Sequence, residues 1–306
     1  MVVEKMVVEK LIAEPLVLSP PGAFRAFWFS FRENRGAVIG AVIVALVILC
    51  AICANFLAPY NPLEQFRDFT KLPPVWVSGG TWKFPLGTDP LGRDMLSRIL
   101  YGARISLFIG LSIMIVCAFI GTCLALLAAF AGGIVDVIIM RVMDLILAIP
   151  DLVLAILIIA VIGPNLINTI IAITIVYLPR FVILMRASAL GELSKDYVTA
   201  AKVSGVGPWR LMFTTVLPNC VAPLIIQAAL GISDAILEAA ALGFLGLGAQ
   251  PPVPEWGSML ADTRDLITSN PWVMALPGLA ILITVLAINL MGDGLRDALD
   301  PRLRRS

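Results

Sequence analysis

Long runs without charged residues alternate with shorter polar segments along this chain. Four runs, residues 36–63, 105–135, 152–179 and 266–292, are long enough to cross a bilayer, which takes about 20 mostly apolar residues. Two further apolar runs, 211–233 and 239–254, are separated only by the stretch from Asp234 to Glu238. The pattern predicts a set of membrane-spanning helices.

The number of spans depends on Gly163-Pro164-Asn165, which lies in the middle of the third run and reads as a tight turn. A turn divides this run between two spans and gives six in total, whereas one kinked helix gives five. Lys and Arg mark the cytoplasmic side of short segments. With six spans, three groups of basic residues all lie on the cytoplasmic side. They are the residues before the first span, those in residues 186–217 and those in the C-terminal tail. We therefore predict both termini in the cytoplasm and spans at 36–58, 104–131, 138–162, 166–185, 219–247 and 272–291.

Residues 1–35 form the predicted cytoplasmic N-terminal segment. Residues 1–5 and 6–10 repeat the pentapeptide Met-Val-Val-Glu-Lys, to which we assign no structural meaning. Phe24, Phe27, Trp28 and Phe31 follow at helical spacing, which predicts an interfacial helix on the inner leaflet. The remaining divisions are the first span at 36–58, an external loop at 59–103, a core of five helices at 104–291 and a cytoplasmic tail at 292–306.

The external loop conflicts with the charge rule. It carries more basic than acidic residues, and Arg93, Arg98 and Arg104 lie close to the second span. Asp94 stands four residues before Arg98, so we expect a helical ion pair that offsets part of this charge. We expect the loop to contact an external protein or to fold over the external mouth.

Composition supports an integral membrane protein. Of 306 residues, 59% are apolar and 14% are charged, and the mean hydropathy is +0.96, whereas an ordinary soluble domain has roughly 25% charged residues. A net charge of +1 argues against a nucleic-acid binder. The chain has no histidine, which removes the commonest general base and metal ligand. The five cysteines lie in apolar stretches, and we interpret them as packing residues.

Residues 186–217 form a long polar-mixed segment between the fourth and fifth spans. Its sequence predicts two short helices, the first capped by Ser194 and ended by Gly205, the second begun by Pro208. Trp209, with Met212 and Phe213, forms an apolar face on the second helix. The segment is either a surface hairpin that ties two spans together or a rigid element that transmits force from a soluble partner.

Ionisable residues at membrane depth are costly and therefore candidates for function. Asp151 follows Pro150 in the third predicted span and marks a possible break, while Asp234 and Glu238 share one face of the fifth span. We interpret these three acids as residues of a translocation pathway, although a proton relay or contacts between subunits are alternatives. Arg180 is expected to snorkel from the end of the fourth span.

Several motifs resemble one family. Ala200-Ala201, Gly205 and Leu217-Pro218 resemble the cytoplasmic "EAA" loop of ABC importer permeases, which docks onto the ATP-hydrolysing subunit; Thr199 and Thr215 depart from the usual Glu and Ile. Further matches to the dipeptide/oligopeptide/nickel class are Gly87-Thr-Asp-Pro-Leu-Gly-Arg-Asp, Tyr101-Gly-Ala-Arg, Gly243-Phe-Leu-Gly-Leu-Gly-Ala-Gln-Pro-Pro, Trp256-Gly-Ser-Met-Leu and Gly292-Asp-Gly-Leu-Arg-Asp-Ala-Leu-Asp-Pro-Arg.

The resemblance implies an all-α type I ABC importer permease fold with six transmembrane helices, in the bacterial inner membrane. The likeness to dipeptide permeases implies an ATP-driven dipeptide importer; oligopeptides, nickel complexes and haem are alternative substrates. The implied partners are a homologous second permease, two cytoplasmic ATPase subunits and an external solute-binding protein. No catalytic or metal site is expected in this chain. The residues implied to couple to the ATPase are Asp196, Tyr197, Ala200, Ala201, Gly205, Trp209, Leu217 and Pro218.

The chain's own residues agree with this division of labour. Its sequence contains no G-x-x-x-x-G-K-[ST] phosphate loop, so ATP and Mg²⁺ are expected on the partner ATPase subunits. A contact between the acids of the fifth span and a peptide's amine is a further possibility under this reading. The main alternatives of other classes are a secondary carrier or channel, which predicts internal repeats and paired midplane charges, and a membrane enzyme, for which the sequence offers no nucleophile motif.

Overall fold

A computed structural model describes residues 23–299, apart from the side chains of residues 23, 24 and 26. Within this range every regular element is a helix, and β-pairing is limited to two isolated bridges. The repeated pentapeptide and the end of the tail lie outside the described residues. The helices are Ala23–Glu33, Arg35–Ile52, Ala54–Leu57, Met95–Ala131, Gly133–Leu147, Asp151–Ile162, Leu166–Leu193, Asp196–Val203, Pro208–Phe244, Trp256–Thr263 and Pro271–Leu299, with short 3₁₀ turns at Arg67–Phe69 and Arg264–Leu266.

Among the described residues, five helices are long and apolar enough to cross a membrane. They are span 1 (Arg35–Ile52), span 2 (Met95–Ala131), span 4 (Leu166–Leu193), span 5 (Pro208–Phe244) and span 6 (Pro271–Leu299). The helices Gly133–Leu147 and Asp151–Ile162 meet at 94° and together satisfy the same criterion, so we denote this bent pair span 3. Counting the bent pair as one span gives the predicted six.

The bend in span 3 lies between Leu147 and Asp151. Pro150 precedes the second helix and has no N–H to continue the first helix's hydrogen bonding. The third span predicted at 138–162 is therefore present as a bent pair of helices, and the suspected break beside Asp151 is confirmed. The turn predicted at Gly163-Pro164-Asn165 is also present, with Asn165 capping span 4 through its side-chain oxygen and the amide of Ile167 at 3.0 Å.

Several helices extend beyond the predicted spans. Span 2 begins at Met95 instead of residue 104 because Asp94 caps it, accepting hydrogen bonds from the Ser97 amide at 2.8 Å and hydroxyl at 2.6 Å. Span 4 continues to Leu193 and span 6 to Leu299. Hydropathy locates the part of a helix that lies in hydrocarbon, whereas capping residues decide where the helix ends, so the two sets of boundaries differ.

The spans pack closely where glycine allows it. A Cβ added to Gly40 in span 1 would lie 2.6 Å from the carbonyl oxygen of Ala287 in span 6, so the backbones of these two helices touch. Spans 2, 4 and 5 enclose the largest buried cluster, which includes Ile113, Ile173 and Ala235. The outward face of span 1 carries exposed apolar side chains, among them Ile39, Val42, Leu46 and Leu49, as expected for a surface covered by lipid.

The N-terminal helix Ala23–Glu33 is present where the aromatic spacing predicts it. Phe31 is buried in a small cluster with Ala37 and Ala298, while Trp28 and Phe29 are exposed. The helix therefore packs one side of its aromatic surface against spans 1 and 6 rather than lying free on the bilayer. Phe24 lies in the helix, but its side chain is outside the described residues.

The segment before span 2 is held by buried ion pairs. Arg93 contacts Asp89 at 2.5 Å and Asp262 at 3.4 Å, and Arg98 contacts the same two carboxylates at 3.6 and 3.9 Å. The expected pair between Asp94 and Arg98 is wrong, because Asp94 is occupied as the cap of span 2.

These contacts account for two of the three arginines that conflict with the charge rule. Arg93 and Arg98 are neutralised by partners inside the protein, and Arg104 hydrogen-bonds the carbonyls of Ala51 and Ile52 at the end of span 1, at 3.0 and 3.2 Å. Arg104 is exposed, so it alone of the three is a surface charge of the kind that the charge rule counts.

Candidate functional site

The predicted coupling residues lie on a short helix and on the first turns of span 5. After span 4 ends, the chain forms the Asp196–Val203 helix, turns at Gly205 and enters span 5 at Pro208. The predicted first short helix is confirmed. The second is wrong as a separate element, because the chain from Pro208 runs directly into span 5 without a break.

The entry to span 5 is not a regular α-helix. Residues Leu211–Val216 form a π-helical turn immediately before Leu217 and Pro218. Pro218 has no N–H for the carbonyl of Thr214, and the loss of that hydrogen bond favours the wider turn. Leu217 is partly buried and Pro218 is exposed on the same stretch.

Ser194 does not cap the short helix as predicted. Its hydroxyl donates to the Gly191 carbonyl at 2.8 Å, which closes the last turn of span 4. Lys195 takes the position before the helix instead, without a side-chain cap, and pairs with Glu192 at 2.5 Å. Asp196 lies in the first turn of the short helix, where its charge interacts favourably with the helix dipole.

Tyr197 joins the short helix to the two neighbouring spans. Its hydroxyl donates to Glu192 at the end of span 4 and accepts a hydrogen bond from Asn219 in span 5 at 3.2 Å. Partial burial, together with the Glu192 carboxylate, raises the pKa of Tyr197 to about 12, so the phenol remains a neutral donor at physiological pH. Val198, the next residue, is fully buried. These contacts fix the helix against the membrane part of the protein.

Gly205 ends the short helix with a positive φ of +80°. The Val206 amide donates to the Ala201 carbonyl at 3.1 Å and the Gly205 amide to Lys202 at 3.0 Å, which is the hydrogen-bond pattern of a Schellman cap. A Cβ added to Gly205 would meet nothing within 4 Å. The backbone conformation alone therefore requires glycine here.

The outer surface of residues 186–217 exposes apolar side chains. Val203 is 84% exposed and Trp209 72%, and Trp209 stacks on Phe213 with ring centroids 6.2 Å apart. Ala200 is exposed on the short helix, while Ala201 is partly buried. A fixed helix with small and apolar residues on its open side provides a surface on which another protein can pack.

The three predicted pathway acids lie around Arg180, which was expected at the end of the fourth span. Arg180 lies in the middle of span 4, directly after Pro179, and not at its end. Its guanidinium pairs with Asp151 at the bend of span 3 and lies 3.8 Å from Asp234 in span 5. The expected snorkelling of Arg180 is therefore wrong, because two carboxylates hold it inside the bundle.

Tyr177 completes this charged cluster, which we define as Asp151, Tyr177, Arg180, Asp234 and Glu238. The Arg180 guanidinium carbon lies 4.5 Å from the centre of the Tyr177 ring, and Glu238 lies beside Tyr177. Spans 3, 4 and 5 each contribute to the cluster. The sequence did contain a signal for this pairing. Arg180 is a lone basic residue among apolar residues, and the acids available to it lie only in the neighbouring spans.

A second ion pair between spans is likewise not predictable from the sequence. Arg186 near the end of span 4 makes two hydrogen bonds to Asp136 in the first turn of span 3. The two residues are far apart in sequence and share no local pattern, so nothing short of the tertiary fold brings them together. Arg141 and Asp144, three residues apart in span 3, also form an ion pair; they lie 3.8 Å apart and are exposed.

Comparisons with known proteins cover nearly the whole chain. The model of the family described as "binding-protein-dependent transport system inner membrane component" matches residues 121–305, and that of the "N-terminal TM domain of oligopeptide transport permease C" matches residues 22–74. A di/tripeptide transport system permease protein of Pseudomonas aeruginosa is 57% identical over 286 residues, 94% of each chain. A dipeptide transport system permease protein of Escherichia coli K12 is 52% identical over 94% of this chain and 95% of its own.

One solved structure has a related fold. A chain of the MetNI methionine ABC transporter, in an inward-facing conformation, aligns with a TM-score of 0.54 at 18% identity. The alignment covers 67% of this chain and 98% of the other. At this identity the likeness concerns the fold of the helical bundle alone.

Proposed function

The chain belongs to the family of binding-protein-dependent transport system inner membrane components, and we propose that it is the permease subunit through which an ATP-driven importer moves dipeptides. It is a permease of the ABC importer class and a transport subunit of the membrane. The observation that carries the dipeptide assignment is the identity of 57% and 52% with two peptide permeases over almost their full length.

In this proposal the energy comes from ATPase subunits that dock onto residues 186–217. The exposed Val203 and Trp209 supply the contact surface, and Tyr197 ties the docked helix to spans 4 and 5. ATP and Mg²⁺ are held by those subunits, because this chain's sequence has no phosphate loop. Both termini and the docking surface face the cytoplasm of a bacterial cell.

A homologous second permease forms the other half of the pathway, and an external solute-binding protein delivers the peptide. The charged cluster lines this pathway at membrane depth. ATP-driven closure of the ATPase pair moves the docked segment, and the bundle alternates between inward-open and outward-open states. ATP biases these states only through its different affinity for them.

Reconstitution tests this function. Vesicles containing this chain, its sister permease and both ATPase subunits are supplied with binding protein outside, ATP inside and a labelled dipeptide. We expect uptake that requires ATP and the binding protein and that disappears when this chain is left out. Uptake by the chain in vesicles without ATPase subunits would refute the proposal, and so would ATP-dependent uptake that is specific for a non-peptide substrate.

A further inference from the structure

The charged cluster contains more negative than positive groups. Asp151, Asp234 and Glu238 face a single cation, Arg180. Ionised side chains at membrane depth normally pair with an opposite charge or face a water-filled cavity. With all four groups ionised the cluster carries a surplus of two negative charges, so it favours the approach of a cation.

The three carboxylates are not equally engaged. Asp151 takes the close contact with Arg180, and Glu238 is partly buried beside Tyr177. Asp234 has only the 3.8 Å approach of the Arg180 guanidinium, and its side chain is 51% exposed. Asp234 is therefore the most exposed acid of the cluster and the one most accessible to a new hydrogen-bond donor.

The position of the cluster also suits a ligand. Asp151 begins the second helix of span 3, directly at the 94° break. Interrupted membrane helices are places where transporters hold substrates, because the break leaves polar groups facing a cavity. Arg180 from span 4 and Asp234 from span 5 converge on this break.

The kind of cation follows from the geometry. Among residues 23–299, no group of three or more Asp, Glu, Cys or His side chains is arranged to hold a metal ion. A primary ammonium group does not need several ligands directed at one point, because its three N–H donors can reach separate acceptors. Dipeptides carry such a group at their N-terminus.

We propose that Asp234, with Glu238 one helical turn away, accepts the α-ammonium group of the peptide in transit. Arg180 is a positioning residue, which holds Asp151 at the break and orients Asp234 toward the open side of the cluster. This inference rests on the proposed function and adds to it a specificity determinant inside the membrane, separate from the selection made by the binding protein.

The test compares two substrates in two proteins. Asp234→Asn keeps the size of the side chain and removes its charge; Asp144→Asn, an exposed acid paired with Arg141, is the matched control. Each complete complex is reconstituted with the same binding protein, loaded with a dipeptide or with its desamino analogue, which lacks only the ammonium group. Uptake and ATP hydrolysis are measured together.

We expect Asp234→Asn to lower dipeptide uptake about tenfold or more, as for the loss of a hydrogen bond to a charged group. Stimulated ATP hydrolysis and uptake of the analogue should change little, so the ratio of ATP consumed to dipeptide moved should rise. Asp234→Glu, which restores the charge, should recover most of the preference for the dipeptide. Asp144→Asn should behave as the unmodified complex.

Three results would overturn the inference. Unchanged dipeptide uptake would place Asp234 off the pathway. Equal losses for dipeptide and analogue, or a parallel fall of uptake and ATP hydrolysis, would mean that Asp234 pairs with another subunit or supports the fold. If the unmodified complex hydrolyses ATP when the binding protein is added but moves no dipeptide, the proposed function fails. The unmodified complex therefore distinguishes this failure from a failure of the Asp234 inference.

Discussion

Replacing Gly205 tests whether the shape of the turn after the short helix is needed for coupling. The perturbation is confined to one backbone position, because a Cβ added there would meet nothing within 4 Å. Any effect must come from the φ of +80°, which L-residues with a side chain adopt at a cost of roughly 1–2 kcal/mol. That cost reduces the population of the native turn by a factor of about 5–30.

The substitutions form a graded series. Gly205→Asn should have the mildest effect, because asparagine tolerates a left-handed backbone. Gly205→Ala should cost the full conformational penalty. Gly205→Pro should abolish coupled uptake, since proline fixes φ near −65° and removes the amide that donates to Lys202 at 3.0 Å.

Gly207 provides a matched control two residues away. A Cβ added to Gly207 would also meet nothing within 4 Å, but its φ of −64° is ordinary for any residue. Gly207→Ala should therefore leave uptake unchanged. The assay is ATP-dependent dipeptide uptake by the reconstituted complex, with the amount of inserted permease and of co-purified ATPase measured in the same samples.

We expect uptake to decrease in the order Gly207→Ala, Gly205→Asn, Gly205→Ala and Gly205→Pro, while the amount of protein in the membrane stays similar. Normal uptake by Gly205→Pro would refute the role of the turn. A loss of inserted protein that parallels the loss of uptake would also refute it, because the turn would then serve folding of the permease instead of contact with the ATPase.

Two further predictions concern the contacts that hold the Asp196–Val203 helix and the segment before span 2. Tyr197→Phe removes the hydroxyl that bridges Glu192 and Asn219 and should weaken ATPase co-purification by about 1–3 kcal/mol of docking free energy; a stable complex of unchanged affinity would contradict this. Arg98→Met leaves buried carboxylates partly uncompensated and should lower the free energy of unfolding by about 3–5 kcal/mol. Thermal unfolding in detergent measures this loss. Arg264→Gln is the control, because the exposed pair between Arg264 and Asp265 should contribute almost nothing to stability.

The hydropathy pattern predicted the number and order of the spans because burial in lipid demands long apolar runs, and these are visible in sequence. It did not predict the ends of the helices, since Asp94 and Pro208 act through local hydrogen bonding and backbone geometry rather than through hydropathy. Arg180 was misplaced for a related reason: near an expected boundary a single arginine reads as a snorkelling residue, and only the fold brings Asp151 and Asp234 to it.

Span 5 runs as one helix from residues 186–217 to the charged cluster. Pro208 begins it, Asp234 lies in its distal half, and no loop intervenes. The two irregularities along it, the π-helical turn Leu211–Val216 and Pro223, both precede Asp234, and such points are where helices bend. Movement imposed on residues 186–217 would thus reach Asp234 as a tilt or rotation of span 5 about these points. The contact of 3.8 Å between Asp234 and Arg180 joins span 5 to span 4, so such a tilt would lengthen or shorten it directly and alter how far Asp234 is open to a passing peptide.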